Sequence, residues 1–217
     1  MDKWSVIIPT IWKSGYTEKL LTRFSQSKYV GEIILIDNAG YLKKEIILPK
    51  LVHIKEKENT FVNPAWNKGV DISKYDYVTI ANDDILFDVD EYYYYLEQIL
   101  EINKLENLGF IGSHSDNYKL EKADIPKFEI YDNKNNKGGW GCLFSFHKSK
   151  WIPIPDKLKI WFGDNWIHMN SNQILQLRGI KIETNMSTSS DLDEVRDVRD
   201  TDVKNWNKLL KYGKITN

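Results

Sequence analysis

Tyr77-Val-Thr-Ile-Ala-Asn82-Asp83-Asp84-Ile-Leu-Phe-Asp88 is the stretch on which the reading of the fold turns. An apolar run of strand length passes without interruption into one amide and two adjacent carboxylates. Such a run reads as a strand of a covered sheet. In open α/β sheets ligands bind outside the carboxyl ends of the strands, so Asn82, Asp83 and Asp84 stand where chemistry is done. Hard cations such as Mn²⁺ and Mg²⁺ prefer oxygen ligands, and one or two protein carboxylates plus ligand phosphates commonly hold them. The same acids also suit a turn that caps the following helix, and this segment alone leaves both readings open.

Outward from this strand, apolar runs alternate with helix-like segments, the pattern of a mostly parallel sheet covered by helices. Strands are expected at Trp4–Pro9, Glu32–Ile36, Leu51–Lys55 and Tyr77–Ile80. A helix is expected over Thr17–Ser27, and another opens at Asn63-Pro64, with asparagine as its cap and proline in its first turn. Asp90–Asn103 reads as a helix and Gly109–Gly112 as a short strand end. The polar stretch Ser113–Lys137 reads as an excursion with one strand at Phe128–Tyr131. Gly138–His147 returns to strand character, Asn165–Leu177 reads as a helix and Ile180–Glu183 as a short strand. Asn185–Asp202, with its serines and alternating charges, reads as a mobile surface segment, and an amphipathic helix over Asp202–Tyr212 follows.

The composition narrows the class. A chain of 217 residues with 41% hydrophobic content suffices for one domain with a single sizeable core. Thirty basic and 31 acidic residues give a net charge of −1, so no global positive field draws the chain onto nucleic acid. Cys142 is the only cysteine, which excludes an intramolecular disulfide and a thiolate metal cluster and fits a reducing compartment. No run has the length of a signal peptide core or a membrane span, so a cytoplasmic, unanchored protein is expected. Aromatic residues make up 13% of the chain, more than the core needs, which leans toward a site lined for a flat or polyhydroxylated ligand.

Four segments occur in an order that resembles the glycosyltransferase-A fold and, within it, the large inverting family 2 of nucleotide-sugar transferases. They are Val6-Ile-Ile-Pro9-Thr10, Ile34-Leu-Ile-Asp37-Asn38, Asn63-Pro-Ala-Trp-Asn67-Lys-Gly69 and Asn82-Asp83-Asp84. The resemblance implies a single α/β domain with a Rossmann-like, mostly parallel sheet. Residues 1–88 would form its nucleotide-binding half and 89–217 its acceptor-binding half, with a mobile segment at about 185–202. It implies that Asp37 recognises the nucleotide base, that Pro9, Thr10 and Trp12 enclose the ring, and that Asn67 and Gly69 border the nucleotide. Asp84, helped by Asp83, would bind Mn²⁺ or Mg²⁺, with Asn82 beside them where many members carry aspartate.

The resemblance continues through Gly138-Gly139-Trp140-Gly141 and Trp161-Phe162-Gly163-Asp164-Asn165. In the family a glycine-rich strand passes under the donor sugar and an acidic pair after it supplies the general base. Here the pair is Asp164-Asn165, so Asp164 is the implied base, with Trp140 and Trp161 offering apolar faces to the sugar. Two of these roles have structural rivals: a turn acid at Asp37 and a helix cap at Asp164. His168 is the one candidate for a third metal ligand, while His53 reads as structural. Arg196 or Arg199 would close over a diphosphate if their segment moves.

The expected activity is metal-dependent transfer of a sugar from a nucleoside-diphosphate donor, UDP by family frequency, to an acceptor hydroxyl with inversion. The acceptor is open between a glycan, a glycoprotein and a modified DNA base. A short chain rich in Lys, Asn and Ile is what a phage or large virus would encode. A nucleotidyltransferase is the rival enzyme, but Pro9–Gly15 contains one glycine and no phosphate loop. A non-catalytic nucleotide-sugar or glycan-binding module is the rival of another class, favoured by Asn82 and Asn165.

Overall fold

The computed structural model describes residues 3–39, 45–102, 109–131, 140–185 and 193–212. Its centre is β1 (Trp4–Thr10), a strand buried at every position. It pairs in parallel with β2 (Val30–Asp37) on one side and β4 (Tyr77–Ala81) on the other. β3 (Leu51–Lys55) extends the parallel array beyond β2. Beyond β4 the sheet continues through β8 (Leu143–His147), β6 (Phe110–Ser113), β9 (Ile174–Arg178) and β7 (Lys127–Ile130), giving the order β3-β2-β1-β4-β8-β6-β9-β7. β8 and β7 run against their neighbours, so the sheet is mixed but mostly parallel. A separate ribbon joins β5 (Ile85–Phe87) to β10 (Ile182–Thr184).

Helices cover both faces, as buried parallel strands require. α1 (Thr17–Gln26) and α2 (Val62–Ile72) serve the first half, α3 (Val89–Ile102) follows β5, and α4 (Gly163–Asn170) and α5 (Asp193–Tyr212) lie in the second half. α2 lies close on β1, because a Cβ added to Gly69 would fall inside the van der Waals envelope of Ile7. On the opposite face Tyr93 donates to Thr79 Oγ1 (3.0 Å), Thr79 meets Ser145 Oγ (2.8 Å), and Tyr92 reaches the same Ser145 oxygen (2.8 Å). These hydroxyls are buried and mutually satisfied, so the network fixes α3 on β4 and β8 without orphaned polar groups. Among the described residues no helix is long and apolar enough to cross a membrane.

The expected α/β architecture is present, and three local expectations change. Asn165–Leu177 is not one helix: α4 ends at Asn170 and Ile174–Arg178 is a strand between β6 and β7. Its apolar residues fit a helix or a covered strand equally by pattern, and only the open sheet position decides. Within Asn185–Asp202, residues 186–192 lie outside the described residues, as do Gly138, Gly139 and Asn103, while α5 begins at Asp193. Oppositely charged residues spaced i,i+4, such as Arg196 with Asp200 and Asp200 with Lys204, suit a continuous helix. Finally, α2 opens at Val62, so Asn63 sits inside the first turn and Phe61 takes the capping position.

Gly69→Ala tests the close approach of α2. Alanine gains up to about 1 kcal/mol of helix propensity, but overpacking against Ile7 costs roughly 1–3 kcal/mol. Urea unfolding should therefore show a net loss of stability with an unchanged m-value.

Candidate active site

The strand order reverses between β1 and β4, because the chain runs from β1 outward to β3 and then returns to the other side of β1. Their carboxyl ends therefore form the crevice where α/β sheets bind ligands. A cavity of about 280 Å³ lies there. Pro9, Thr10 and Ile11 line it from the end of β1, and Asn82, Asp83 and Asp84 from the turn that follows β4. Phe61 and Val62 contribute from the start of α2, Cys142 from the entry to β8, Ile160 and Trp161 from the loop before α4, and Val195 from α5.

Asp83 and Asp84 are oriented differently. Asp83 Oδ2 accepts from Thr10 Oγ1 (2.5 Å) and Thr17 Oγ1 (3.2 Å), so the carboxylate is tied to β1 and α1. Burial pushes its carboxyl up to about 6 against the stabilising hydroxyls, and neighbouring Asp84 adds to the rise. Burial also raises the Asp84 carboxyl, with its own backbone amide opposing. Asp84 Oδ1 is buried without a hydrogen-bond partner. An orphaned anionic oxygen in a cavity is what a divalent cation would satisfy, so these residues fit a metal. Among the described residues no group of three His, Cys, Asp or Glu side chains could hold a metal, so further oxygens would have to come from the ligand.

Asp164 lies in the first turn of α4, with Phe162 and not Asp164 at the capping position. Its Oδ1 accepts from the Asn165 amide (2.9 Å), and a Cβ added to Gly141 would sit 3.3 Å from its Oδ2. Burial raises its carboxyl, with the two nearby amides and then His168 opposing. Next to Gly141, the Cys142 thiol is pushed up to about 12 by burial first, then by the charge of Asp84, and further by Asp164. Cys142 lines the cavity with Asp84, and its neighbour Gly141 lies against Asp164, so this short segment runs between the acid after β4 and the acid on α4.

Other expected site residues lie elsewhere. Asp37 is fully buried, one oxygen accepting from Ala39 N (3.0 Å) and the other meeting His53 Nε2 (3.0 Å), so its carboxylate is engaged inside the protein. His53 in turn meets Trp12 edge-on at 6.4 Å. Asn67 pairs both amide atoms with the backbone of Ile154 (2.8 and 3.0 Å), and Gly69 faces Ile7, so neither borders the cavity. Trp140 is buried against Phe110 and Phe144, and it faces the core where an exposed sugar platform was expected. Gly112 makes that seat, since a Cβ there would collide with the indole. His168 packs edge-on against Tyr131 at 5.0 Å and forms no three-ligand group with Asp83 and Asp84. Arg199 stands over Trp161 at 5.3 Å from the ring.

The sequence reading missed Cys142 and Asp202. Cys142 carries no motif of its own. Asp202 is fully buried and accepts from the backbone of residues 159–161, whereas its charged neighbourhood reads as a solvated face. One signal was available: on a helix running from Asp193, Asp202 falls on the apolar side with Val195, Val198, Trp206 and Leu209.

A switch-point cavity with paired acids on a mostly parallel sheet defines a glycosyltransferase-A architecture. Residues 5–151 match the model of glycosyl transferase family 2, and the chain belongs to that family and is a glycosyltransferase. Curated protein sequences return no significant match. Among solved structures, the Staphylococcus aureus TarS fragment 1–349 in complex with UDP aligns with a TM-score of 0.62 at 13% identity, over 97% of this chain and 72% of that one. The same fragment in complex with UDP-GlcNAc gives 0.60 at 12%, over 90% and 64%. The mannosyltransferase PcManGT from Pyrobaculum calidifontis, in complex with GDP-Man and Mn²⁺, gives 0.54 at 14%, over 81% of this chain and 54% of that one.

The elevated thiol of Cys142 offers a test of this geometry. Thiolate is the reactive form, so labelling by a disulfide reagent at pH 8 should run about 10²-fold or more slower in the folded chain than in denaturant. Asp164→Asn, which removes one nearby charge, should accelerate labelling of the folded protein. An unchanged rate would show that the charge of Asp164 does not reach the thiol.

Proposed function

We propose that this chain transfers a sugar from a nucleoside-diphosphate donor, UDP in preference, to an acceptor hydroxyl with inversion at the anomeric carbon. The observation that carries the reading is the unpartnered Asp84 carboxylate oxygen in the switch-point cavity, beside Asp83. Family membership and the UDP, UDP-GlcNAc and GDP-Man complexes of the structural neighbours support a nucleotide-sugar donor. In this reading residues 1–88 carry the nucleotide and 89–217 the acceptor.

Asp84 and Asp83 would hold the Mn²⁺ or Mg²⁺ ion, which neutralises charge on the departing diphosphate. The chain's own residues supply the rest. Thr10 and Thr17 hold Asp83 in place, and Phe61 and Val62 add apolar lining to the cavity. Asp164 takes the proton of the acceptor hydroxyl as its oxygen bonds to the anomeric carbon, and the sugar–phosphate bond electrons leave with the diphosphate. Burial raises the basicity of its carboxyl, which favours that proton transfer. Asn82 and Asn165 stand where acids are common in the family, which favours a non-catalytic binding module as the second reading.

Thermal stabilisation by a panel of nucleotide sugars, with and without Mn²⁺, identifies the donor through mass action. Asp84→Ala should abolish the metal-dependent part of that stabilisation while the protein stays folded. Persistence of that part removes the metal assignment.

Asp164→Asn keeps the size of the side chain but cannot take a proton. Turnover should fall by about 10²-fold or more with donor affinity nearly unchanged. Proton NMR of the first product should show the anomeric configuration opposite to the donor's. Near-normal turnover of the variant sinks the base assignment, and absence of donor hydrolysis by the native chain favours the binding module.

A further inference from the structure

Asp202 sits mid-helix in α5 among charged residues, yet its side chain is fully buried. Its carboxylate receives the backbone N–H of three consecutive residues: Lys159 (2.9 Å to Oδ1 and 3.0 Å to Oδ2), Ile160 (2.8 Å) and Trp161 (2.9 Å). Successive amides converging on one anion form a backbone nest, and the charge makes each bond stronger than a neutral one. These amides belong to no strand or helix, so the carboxylate replaces the ladder that regular structure would provide.

The loop held in this way builds the cavity and leads into α4. Ile160 and Trp161 line the cavity, and Asp164 follows three residues later. The loop's other side is gripped by α2, where Asn63 Nδ2 donates to the carbonyls of Leu158 (3.2 Å) and Trp161 (3.3 Å), and Asn63 N to Lys159 O (2.9 Å). Around Asp202, Trp206 stacks on Phe162 at 5.1 Å and Asn205 donates to Lys157 O (2.8 Å). Phe162 itself has φ 66°, a left-handed conformation that an aromatic residue holds only when its surroundings enforce it.

We infer that Asp202 is a positioning residue: by filling the nest it sets the Ile160–Trp161 wall and the first turn of α4, and so aims Asp164. The inference rests on the reading of Asp164 as the base. Asp202→Asn keeps the shape but turns one acceptor oxygen into a donor facing N–H groups. Misaiming a catalytic group by about 1 Å can cost on the order of 10²-fold, so kcat should fall by about 10- to 100-fold. UDP affinity should fall far less than kcat, because Thr10 on β1 and Asp83 and Asp84 after β4 lie outside the loop.

The experiment combines hydrogen exchange with steady-state kinetics on the full chain. In Asp202→Asn the amides of residues 159–161 should exchange faster while those of β1 and β4 keep their protection. Asp202→Glu, which retains the anion, should restore protection at 159–161 and recover part of kcat. Asn205→Ala, which loosens α5 without touching the nest, should leave kcat near the native value. Native turnover in Asp202→Asn despite exposed loop amides overturns the inference, and so does uniform loss of protection across the sheet together with UDP binding. A Glu variant with protected amides but no recovery of kcat also overturns it. Asp164→Asn measured in parallel separates the two readings: normal turnover there is a failure of the base assignment, whereas an inactive Asp164→Asn beside a normal Asp202→Asn is a failure of this inference alone.

Discussion

Parallel pairing of β1 with β2 and β4 at once is the constraint from which the site follows. The register runs Trp4 with Tyr77 through Ile7 with Ile80 on one side, and Thr10 with Asp37 on the other. Both faces of β1 are covered, so the register is held by what its side chains meet, Ile7 under Gly69 on one face and Thr10 against Asp83 at the strand end. The strand ends are therefore brought together: Thr10 emerges beside the segment that follows Ala81, and its hydroxyl meets Asp83. Gly69 on one face, and the tyrosine hydroxyls of α3 on the other, hold helices close enough to keep water from these strands.

Among the described residues, three of the four non-glycine residues with left-handed backbone lie in or next to the cavity lining, the fourth being Lys50 before β3. Trp12, Phe61 and Phe162 are aromatic residues at φ 59°, 68° and 66°. Left-handed backbone costs such residues on the order of 1–3 kcal/mol each, so the surroundings must compensate. Compensation is visible at Phe61, whose N–H donates to Asn59 Oδ1 (2.9 Å) and whose carbonyl accepts from Ala65 N (3.2 Å). It is visible at Trp12 as well, whose N–H donates to Thr10 Oγ1 (2.9 Å). Thr10 thus serves both the strained turn after β1 and the acid after β4, which ties loop geometry to site electrostatics.

Charge inside the cavity is arranged without a full set of protein partners. Asp83 is satisfied by hydroxyls and Asp84 keeps one oxygen unpartnered, while Asp164, on α4 outside the lining, accepts from the Asn165 amide. Burial raises all three acids; the charge of Asp84 adds to the rise of Asp83, and Asp84 and Asp164 both add to that of the Cys142 thiol.

Much of the fold was legible in sequence because covered strands leave a local signature. The runs at Trp4, Leu51 and Tyr77, and the acids after Ala81, depend on neighbours within a few residues, so reading them required no partner. Asn67 and Asp37 were legible as residue types in familiar places, but their partners, Ile154 and His53, lie 87 and 16 residues away, and only folding names them. The same holds for Ile174–Arg178, whose strand identity depends on a vacancy between β6 and β7, and for Trp140, whose burial depends on the space above Gly112. Asp202 marks the boundary most clearly. Its sequence determined a charged residue on a helix, whereas the meeting of α5 with three amides 41 to 43 residues earlier decided that the charge would be buried. A chain can spell out its own hydrogen-bond donors and apolar faces, but which of them meet is a long-range property of packing that tertiary structure alone supplies.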